Sequence, residues 1–502
     1  MNTILDTIKK WSIQTPNVLC FDDVEDKLSY AELEKKSEIL ASYLQEHYPK
    51  REGIVVYGGH TSEVLISMIA CTKSGHAYIP VDQHTPDDRL NLIVEESQAI
   101  AIISLSPWPL ASTVIDLEQF TKITTQAIEP VVLSPVVGDE IYYTIFTSGT
   151  TGKPKGVQIS FNNLKSYTDW MVSDFNLKTG QRFLCQAPFS FDLSVMDLYP
   201  ALLTGGALIP LHKPEVDHFP TLFKRLPELD LNVWVSTPSM VEICLLSPDF
   251  SQEKLPNLIN FQFCGEELPR PVALKLMERF PDADIFNTYG PTEATVAVTS
   301  VKLTEKLLEE VDRLPLGKVK SDTRLLIMSE EGKVLPDGEI GEIIIIGPPV
   351  SQGYFNNEEK TKEAFFTYEG DQAYRTGDAG LLKKGLLFYK GRLDFQVKWH
   401  GFRIELGDID HHLLALEAVR SACVVPKYNK LHKVQQLIAF VVVNDQFKDA
   451  DEKELAKELK QQLAQKVMEY MVPQKIDIVE SLPLSVNGKV DRKALIGQVN
   501  NT

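Results

Sequence analysis

Long hydrophobic runs are missing from this chain: no window approaches the roughly 18 consecutive apolar residues of a membrane-crossing helix, so an integral membrane protein is not expected. Residues 1–20 interleave apolar positions with Asp6, Lys9, Lys10 and Gln14, so the continuous apolar core of a secretory leader is absent as well. Cysteine is scarce. The six cysteines (20, 71, 185, 244, 264 and 423) stand singly, without a Cys-x-x-Cys pair or a zinc-ligand spacing. That pattern fits reduced thiols in the cytoplasm rather than a disulfide framework. A basic excess is missing too: 51 Lys and Arg against 69 Asp and Glu leave a net charge of −18, the opposite of a nucleic-acid footprint. The deficit is uneven, because residues 395–502 carry 15 basic and 14 acidic residues and are nearly neutral. An acidic macromolecule is therefore repelled least by the C-terminal hundred residues.

What is present reads as an α/β protein. With 43% hydrophobic and 24% charged residues, 502 residues suffice for two to four domains with real cores. Short apolar runs, 54–57, 99–103, 233–235 and 343–346, alternate with segments of helical length, as when buried strands are layered with helices. The segment Pro269 to Phe280 predicts a helix packed on such a sheet, with Val272, Leu274, Leu276 and Met277 apolar. A new pattern starts near residue 394: a helix over 408–419, strands at 422–425 and 437–443, a helix over 453–470, then a last strand and the turn Asn487-Gly488. There is no internal repeat or low-complexity tract, and only residues 445–454 are strongly polar.

The apolar run 141–146 feeds Thr147-Ser148-Gly149-Thr150-Thr151-Gly152-Lys153-Pro154-Lys155-Gly156. Glycines allow close approach of the backbone to an anion, the hydroxyls donate, and Lys153 and Lys155 bring positive charge, as a nucleotide phosphate cradle requires. A Walker loop is excluded, since Gly152-Lys153 is followed by proline. The plain alternative is a flexible surface turn.

Five further segments follow in order: Phe189-Ser-Phe-Asp-Leu-Ser-Val-Met-Asp197, Asn287-Thr-Tyr-Gly-Pro-Thr-Glu-Ala294, Tyr374-Arg-Thr-Gly-Asp378, Gly391 to Lys398 with Gly401-Phe-Arg-Ile-Glu405, and Asn487-Gly-Lys-Val-Asp-Arg492. With the loop, they resemble the core motifs of the adenylate-forming superfamily over nearly the whole chain. The resemblance implies a large N-terminal domain of layered α/β sheets over 1–393 and a small mobile C-terminal α+β lid over 394–502. Asp394 would be the hinge. It also implies ATP-dependent activation of a carboxylate, followed by capture of the acyl adenylate by a thiol. ATP would be handled by Thr147, Ser148, Gly149, Thr150, Thr151, Lys155, Asn287, Tyr289, Asp378 and Arg392. Glu293, assisted by Thr292, would hold magnesium on the ATP phosphates, a hard cation matched to a hard oxygen. Lys489 would contact the substrate carboxylate and the α-phosphate. Tyr289 offers a face to adenine or is a core aromatic; Asp378, expected to be exposed at the Thr376-Gly377 turn, would grip the ribose. Arg392 would complete that grip or pair with Asp394. Lys398, Gly401 and Arg403 would belong to the lid face used in the second half-reaction.

Substrate class turns on Asp192, a carboxylate in an apolar stretch where an unpaired charge is costly. In amino-acid-activating relatives the aspartate at this point binds the α-ammonium. Cys264, in Phe-Cys-Gly-Glu, would narrow a pocket shared with Met196, Val296 and Ala297, admitting a small side chain and selecting its chirality. The motifs are most similar to the branch of the superfamily that makes D-alanyl adenylate and loads it on the phosphopantetheine thiol of a small acidic carrier protein, for D-alanylation of teichoic acids. Only ten residues follow Arg492, so that thiol is expected in trans. The alternatives are adenylation of another small amino acid, an acyl-CoA synthetase, which Asp192 argues against, or an inactive scaffold. Adjacent His411 and His412 are expected on a helix surface rather than at a metal.

Overall fold

In the computed structural model, residues 3–126, 132–149, 153–429, 433–484 and 490–500 are described. The turn Asn487-Gly488, Lys489, Thr150 and Thr151 lie outside them. The chain forms two compact units: Met1–Gln83, Ser97–Phe146 and Gly156–Leu393 make the larger, and His84–Glu96, Thr147–Lys155 and Asp394–Thr502 make the smaller.

The larger unit is built on three sheets. One has nine strands, with a parallel centre formed by Asp284–Tyr289, Asn260–Phe263, Val233–Ser236, Arg182–Cys185 and Ala207–Pro210. A second orders Ala101–Ser104, Ile54–Gly58, Tyr78–Asp82, Ile141–Thr147 and Lys155–Ser160. The third is antiparallel: Arg324–Met328, Gly341–Ile346, Asp371–Lys383 and Phe365–Tyr368 in order, with Leu386–Arg392 also paired to the long strand. Continuous burial explains the Ile/Val runs: Ile54 to Val56, Val233 to Val235 and Ile343 to Ile346 are all buried, because helices or a second layer cover both faces. The helix expected over 269–280 spans Arg270–Arg279 and buries Ala273 and Leu276, with Pro271 in its first turn, where the missing N–H costs nothing.

In the smaller unit a hairpin of Gln396–Trp399 and Phe402–Glu405 precedes the helix Leu406–Leu414 and a sheet of Val419–Tyr428, Val434–Val443 and Lys475–Ile478. Its core gathers Val397, Ile404, Ile409, Leu413, Val424, Ala439 and Leu459. The helix expected over 408–419 is shorter and begins earlier. After Leu414 the chain turns so that Leu416 and Ala418 join the core and Val419 starts a strand. The helix expected over 453–470 is Glu452–Ala464, capped by Asp451 and followed by a short 3-10 turn at Glu469–Met471. No helix among the described residues is long and apolar enough to cross a membrane.

Candidate active site

The expected substrate residues come together in the larger unit. Asp192 opens a 3-10 turn, Asp192–Ser194, that runs into the helix Val195–Leu203, so Asp192 is only half-buried while Met196 is fully buried one turn further on. Cys264 follows the strand Asn260–Phe263, and its Sγ lies 3.7 Å from the carbonyl oxygen of Val296. Cys264, Met196, Val296 and Ala297 are all buried in the same core cluster. The 295–297 turn is unusual: Thr295 and Val296 have φ of 53° and 68°, a left-handed conformation disfavoured for a β-branched residue. Its surroundings hold it there. The Thr295 hydroxyl donates to Pro349 O at 2.7 Å, and Gly290 lies so close that a Cβ would meet Ala297 Cα. Glycine is required there for that approach.

Tyrosines around this pocket were not singled out from the sequence. Tyr167 is buried, its phenol pushed well above the usual range by burial first, then by Cys264, Tyr143 and the carboxylates of Asp192 and Asp197. Asp197 is wholly buried. Burial raises its pKa well above the ordinary carboxylate value, opposed by a hydrogen bond from the Leu198 backbone N–H. Its signal was in plain view, as the second aspartate of the segment Phe189 to Asp197, yet only Asp192 carried an expected role.

A second cluster in the same unit gathers Tyr289, Asp378 and Arg392. The Tyr289 hydroxyl donates to Asp378 Oδ2 at 2.6 Å, while Arg392 donates to Asp378 Oδ1 at 2.9 Å and to Thr376 O at 2.8 Å. Burial, then the Asp378 carboxylate, holds the Tyr289 phenol well above its usual range. One expectation is corrected here. Asp378 is not exposed at a turn but 2% accessible inside the strand Asp371–Lys383, because strand pairing to Arg392 covers it. Arg392 pairs with Asp378, its cross-strand partner at this register. Asn287 is buried and donates to Pro315 O at 2.8 Å. Glu293, in the 3-10 turn Thr292–Ala294, is buried and accepts from the Tyr354 hydroxyl at 2.7 Å.

The phosphate-loop residues belong to the smaller unit. Gly149 is held where a side chain would collide with the Lys153 carbonyl. Lys153 pairs with Glu96 at 2.5 Å. Ser148 Oγ donates to Arg403 O at 3.0 Å, and Lys155 Nζ stands 3.7 Å from Glu405 Oε1. Arg89 reaches Thr147 O at 3.5 Å and Asp408 at 3.7 Å. His412, expected on the surface with His411, is instead largely covered and lies 3.5 Å from the buried Asp408, since the helix presents this face inward. Among the described residues no cluster of three or more His, Cys, Asp or Glu could hold a metal.

The chain belongs to the AMP-binding enzymes: residues 8–355 match that family, and residues 408–489 match the AMP-binding enzyme C-terminal domain. Within that class it is 47% identical to the D-alanine–D-alanyl carrier protein ligase of Lacticaseibacillus casei strain BL23, with both chains covered completely. It is 48% identical to the ligase of the same name from Bacillus thuringiensis strain Al Hakam, over 99% of each chain. Among solved structures it resembles holo-PA1221, an NRPS protein containing adenylation and PCP domains, with a TM-score of 0.83 and 25% identity over 99% of this chain and 84% of that one. The Vibrio cholerae adenylation domain AlmE, solved with glycyl-adenosine-5′-phosphate, shares the fold with a TM-score of 0.83 and 23% identity over 100% of this chain and 97% of that one.

Proposed function

We propose that the protein activates D-alanine with ATP to D-alanyl adenylate and passes the acyl group to the phosphopantetheine thiol of a separate small acidic carrier protein. The work would take place in the cytoplasm, in support of teichoic-acid D-alanylation. The observation that carries the reading is full-length identity of 47% to a ligase of that name, joined to the burial of Cys264, Met196, Val296 and Ala297 in one core cluster. A pocket lined by these four side chains would admit little more than a methyl side chain.

In this reading Asp192, at the half-buried mouth of that pocket, receives the α-ammonium. The amino acid's carboxylate attacks the α-phosphorus of ATP, and pyrophosphate leaves. Negative charge on phosphoryl oxygens is met by Thr147, Ser148, Thr150, Thr151, the backbone at Gly149, and the ammonium groups of Lys155 and Lys489. Tyr289, Asn287, Asp378 and Arg392 hold the nucleoside. The Asp378 carboxylate, fixed by two donors, retains lone pairs for ribose hydroxyls, and positioning of this kind is most of what adenylation asks of a protein.

Magnesium fits Glu293: one buried hard-oxygen ligand, steadied by Tyr354 and helped by Thr292, suits a cation that takes its remaining ligands from ATP and water. When bound, it would neutralise charge on the phosphates. Asp394 is the proposed pivot between half-reactions. The near-neutral 395–502 region is the proposed approach for the carrier.

The test is carrier loading. Purified protein, ATP, D-alanine and a phosphopantetheinylated carrier should give a carrier heavier by one alanyl group, removable with hydroxylamine. A carrier left unmodified under conditions where adenylate forms would contradict the second step.

A further inference from the structure

We propose that the hydroxyls of Tyr143 and Tyr167 are donors reserved for the amino-acid-bound state, in which they hold the Asp192 carboxylate against the substrate's ammonium. The inference rests on the reading of Asp192 as the ammonium acceptor. All three residues lie in the larger unit. Tyr143 sits in the strand Ile141–Thr147. Tyr167 sits in the helix Phe161–Asp174, which packs on the helix Val195–Leu203 that continues the Asp192–Ser194 turn. Both tyrosines are 0% exposed and belong to the core cluster that contains Cys264, Met196, Val296 and Ala297. Neither hydroxyl has a hydrogen-bond partner among the described residues. A neighbouring pair shows that this core can satisfy a phenol: the Tyr78 ring lies 5.6 Å from that of Tyr143, yet its hydroxyl shares a 2.8 Å hydrogen bond with the Tyr199 hydroxyl.

A buried hydroxyl left unpaired destabilises a protein, so two of them in one core call for a partner that arrives with the ligand. Asp192 is placed to be that partner. Burial is the main cause that holds both phenols well above their usual range, and the Asp192 carboxylate adds to the rise of each. Both phenols therefore keep their protons and stand ready to donate. Asp197 also acts on Tyr167, but burial raises its own pKa well above the ordinary carboxylate value, which makes it the weaker acceptor. Asp192 is half-buried, and a carboxylate has about four lone-pair sites, enough for an ammonium and two phenols together. A substrate ammonium entering the pocket carries positive charge inward. The carboxylate that follows it loses water, and the two phenol hydrogen bonds offset that loss. Tyr143 and Tyr167 are thus positioning residues, acting on the amino acid through Asp192.

Tyr143→Phe and Tyr167→Phe each keep the ring and remove the hydroxyl. In D-alanine-dependent ATP–pyrophosphate exchange, each should raise the D-alanine KM by about three- to tenfold, the effect of one lost hydrogen bond, and leave the ATP KM unchanged. Since neither hydroxyl is bonded before substrate binds, the melting temperature of each ligand-free variant should be no lower than that of the parent; a purely structural hydrogen bond would lower it. An unchanged D-alanine KM in both variants overturns the proposal. So does a raised KM accompanied by melting more than about 2 °C below the parent, which would put the hydrogen bonds in the ligand-free protein. Asp192→Asn separates this proposal from the reading beneath it. If the parent shows no exchange with D-alanine, or Asp192→Asn leaves the D-alanine KM unchanged, the Asp192 reading fails and the proposal with it; an impaired Asp192→Asn beside two unimpaired tyrosine variants sinks the proposal alone.

Discussion

Tyr289→Phe removes one hydroxyl, which donates to the buried carboxylate of Asp378 at 2.6 Å. The ring stays, so packing is kept. What is lost is a hydrogen bond to a charged group inside the protein, worth about 1.5–3 kcal/mol. Asp378 keeps Arg392 on its other oxygen, so the charge is still paired and the lower part of that range applies if water reaches Oδ2. Unfolding entropy of about 2.1 cal/mol/K per residue over the roughly 370 residues of the larger unit gives about 0.8 kcal/mol/K, so the melting temperature should fall by about 2–4 °C. In ATP–pyrophosphate exchange the ATP KM should rise by about tenfold, equivalent to about 1.4 kcal/mol, while the amino-acid KM holds. Calorimetric melting and exchange kinetics on the same sample check both halves. A melting temperature within half a degree of the parent together with an unchanged ATP KM would refute the claim that this hydroxyl fixes Asp378.

Three further outcomes are expected. Cys264→Ala should erode the preference for D- over L-alanine in exchange kinetics, by no more than the roughly 1–3 kcal/mol that a methyl-sized group can discriminate; retained selectivity would move the explanation to Met196 or Val296. For Asp197 the sign follows from burial: a folded pKa raised above the unfolded value of about 3.9 means the folded state binds the extra proton, so its contribution falls as pH climbs from there toward the folded pKa. Asp197→Asn should therefore flatten the decline in melting temperature as pH rises above about 4, and an unaltered slope would show that the carboxyl's pKa is not raised on folding. Lys489→Ala should abolish adenylate formation while sparing transfer from supplied D-alanyl adenylate, and equal loss of both steps would count against its assigned role.

Much of the architecture is legible in local patterns. Runs such as Ile343 to Ile346 read as buried strands because sheets covered on both faces demand them, and the helix Arg270–Arg279 shows its period and its early proline. Features set by distant partners are not legible. Asp378 looks like a turn residue in Tyr-Arg-Thr-Gly-Asp, and only its pairing with Arg392 across the sheet buries it. Nothing local stops a helix at Leu414, since Ala415, Leu416, Glu417 and Ala418 are good helix formers; the core that captures Leu416 and Ala418 decides it. Lys155 and Glu405 meet across about 250 positions, so the engagement of a phosphate-binding lysine by a carboxylate has no signature in either motif. The gathering of Cys264, Met196, Val296 and Ala297 followed from the resemblance, whereas the left-handed turn that presents Val296 depends on Gly290 and Pro349 and had no sequence signal of its own.

The most direct measurement is amino-acid-dependent ATP–pyrophosphate exchange with D-alanine, L-alanine, glycine, D-serine and a short fatty acid offered separately. The account predicts exchange strongest with D-alanine and none with the fatty acid, which has no ammonium for Asp192. Exchange strongest with another acid would contradict the assigned substrate, and no exchange with any of them would contradict the account as a whole.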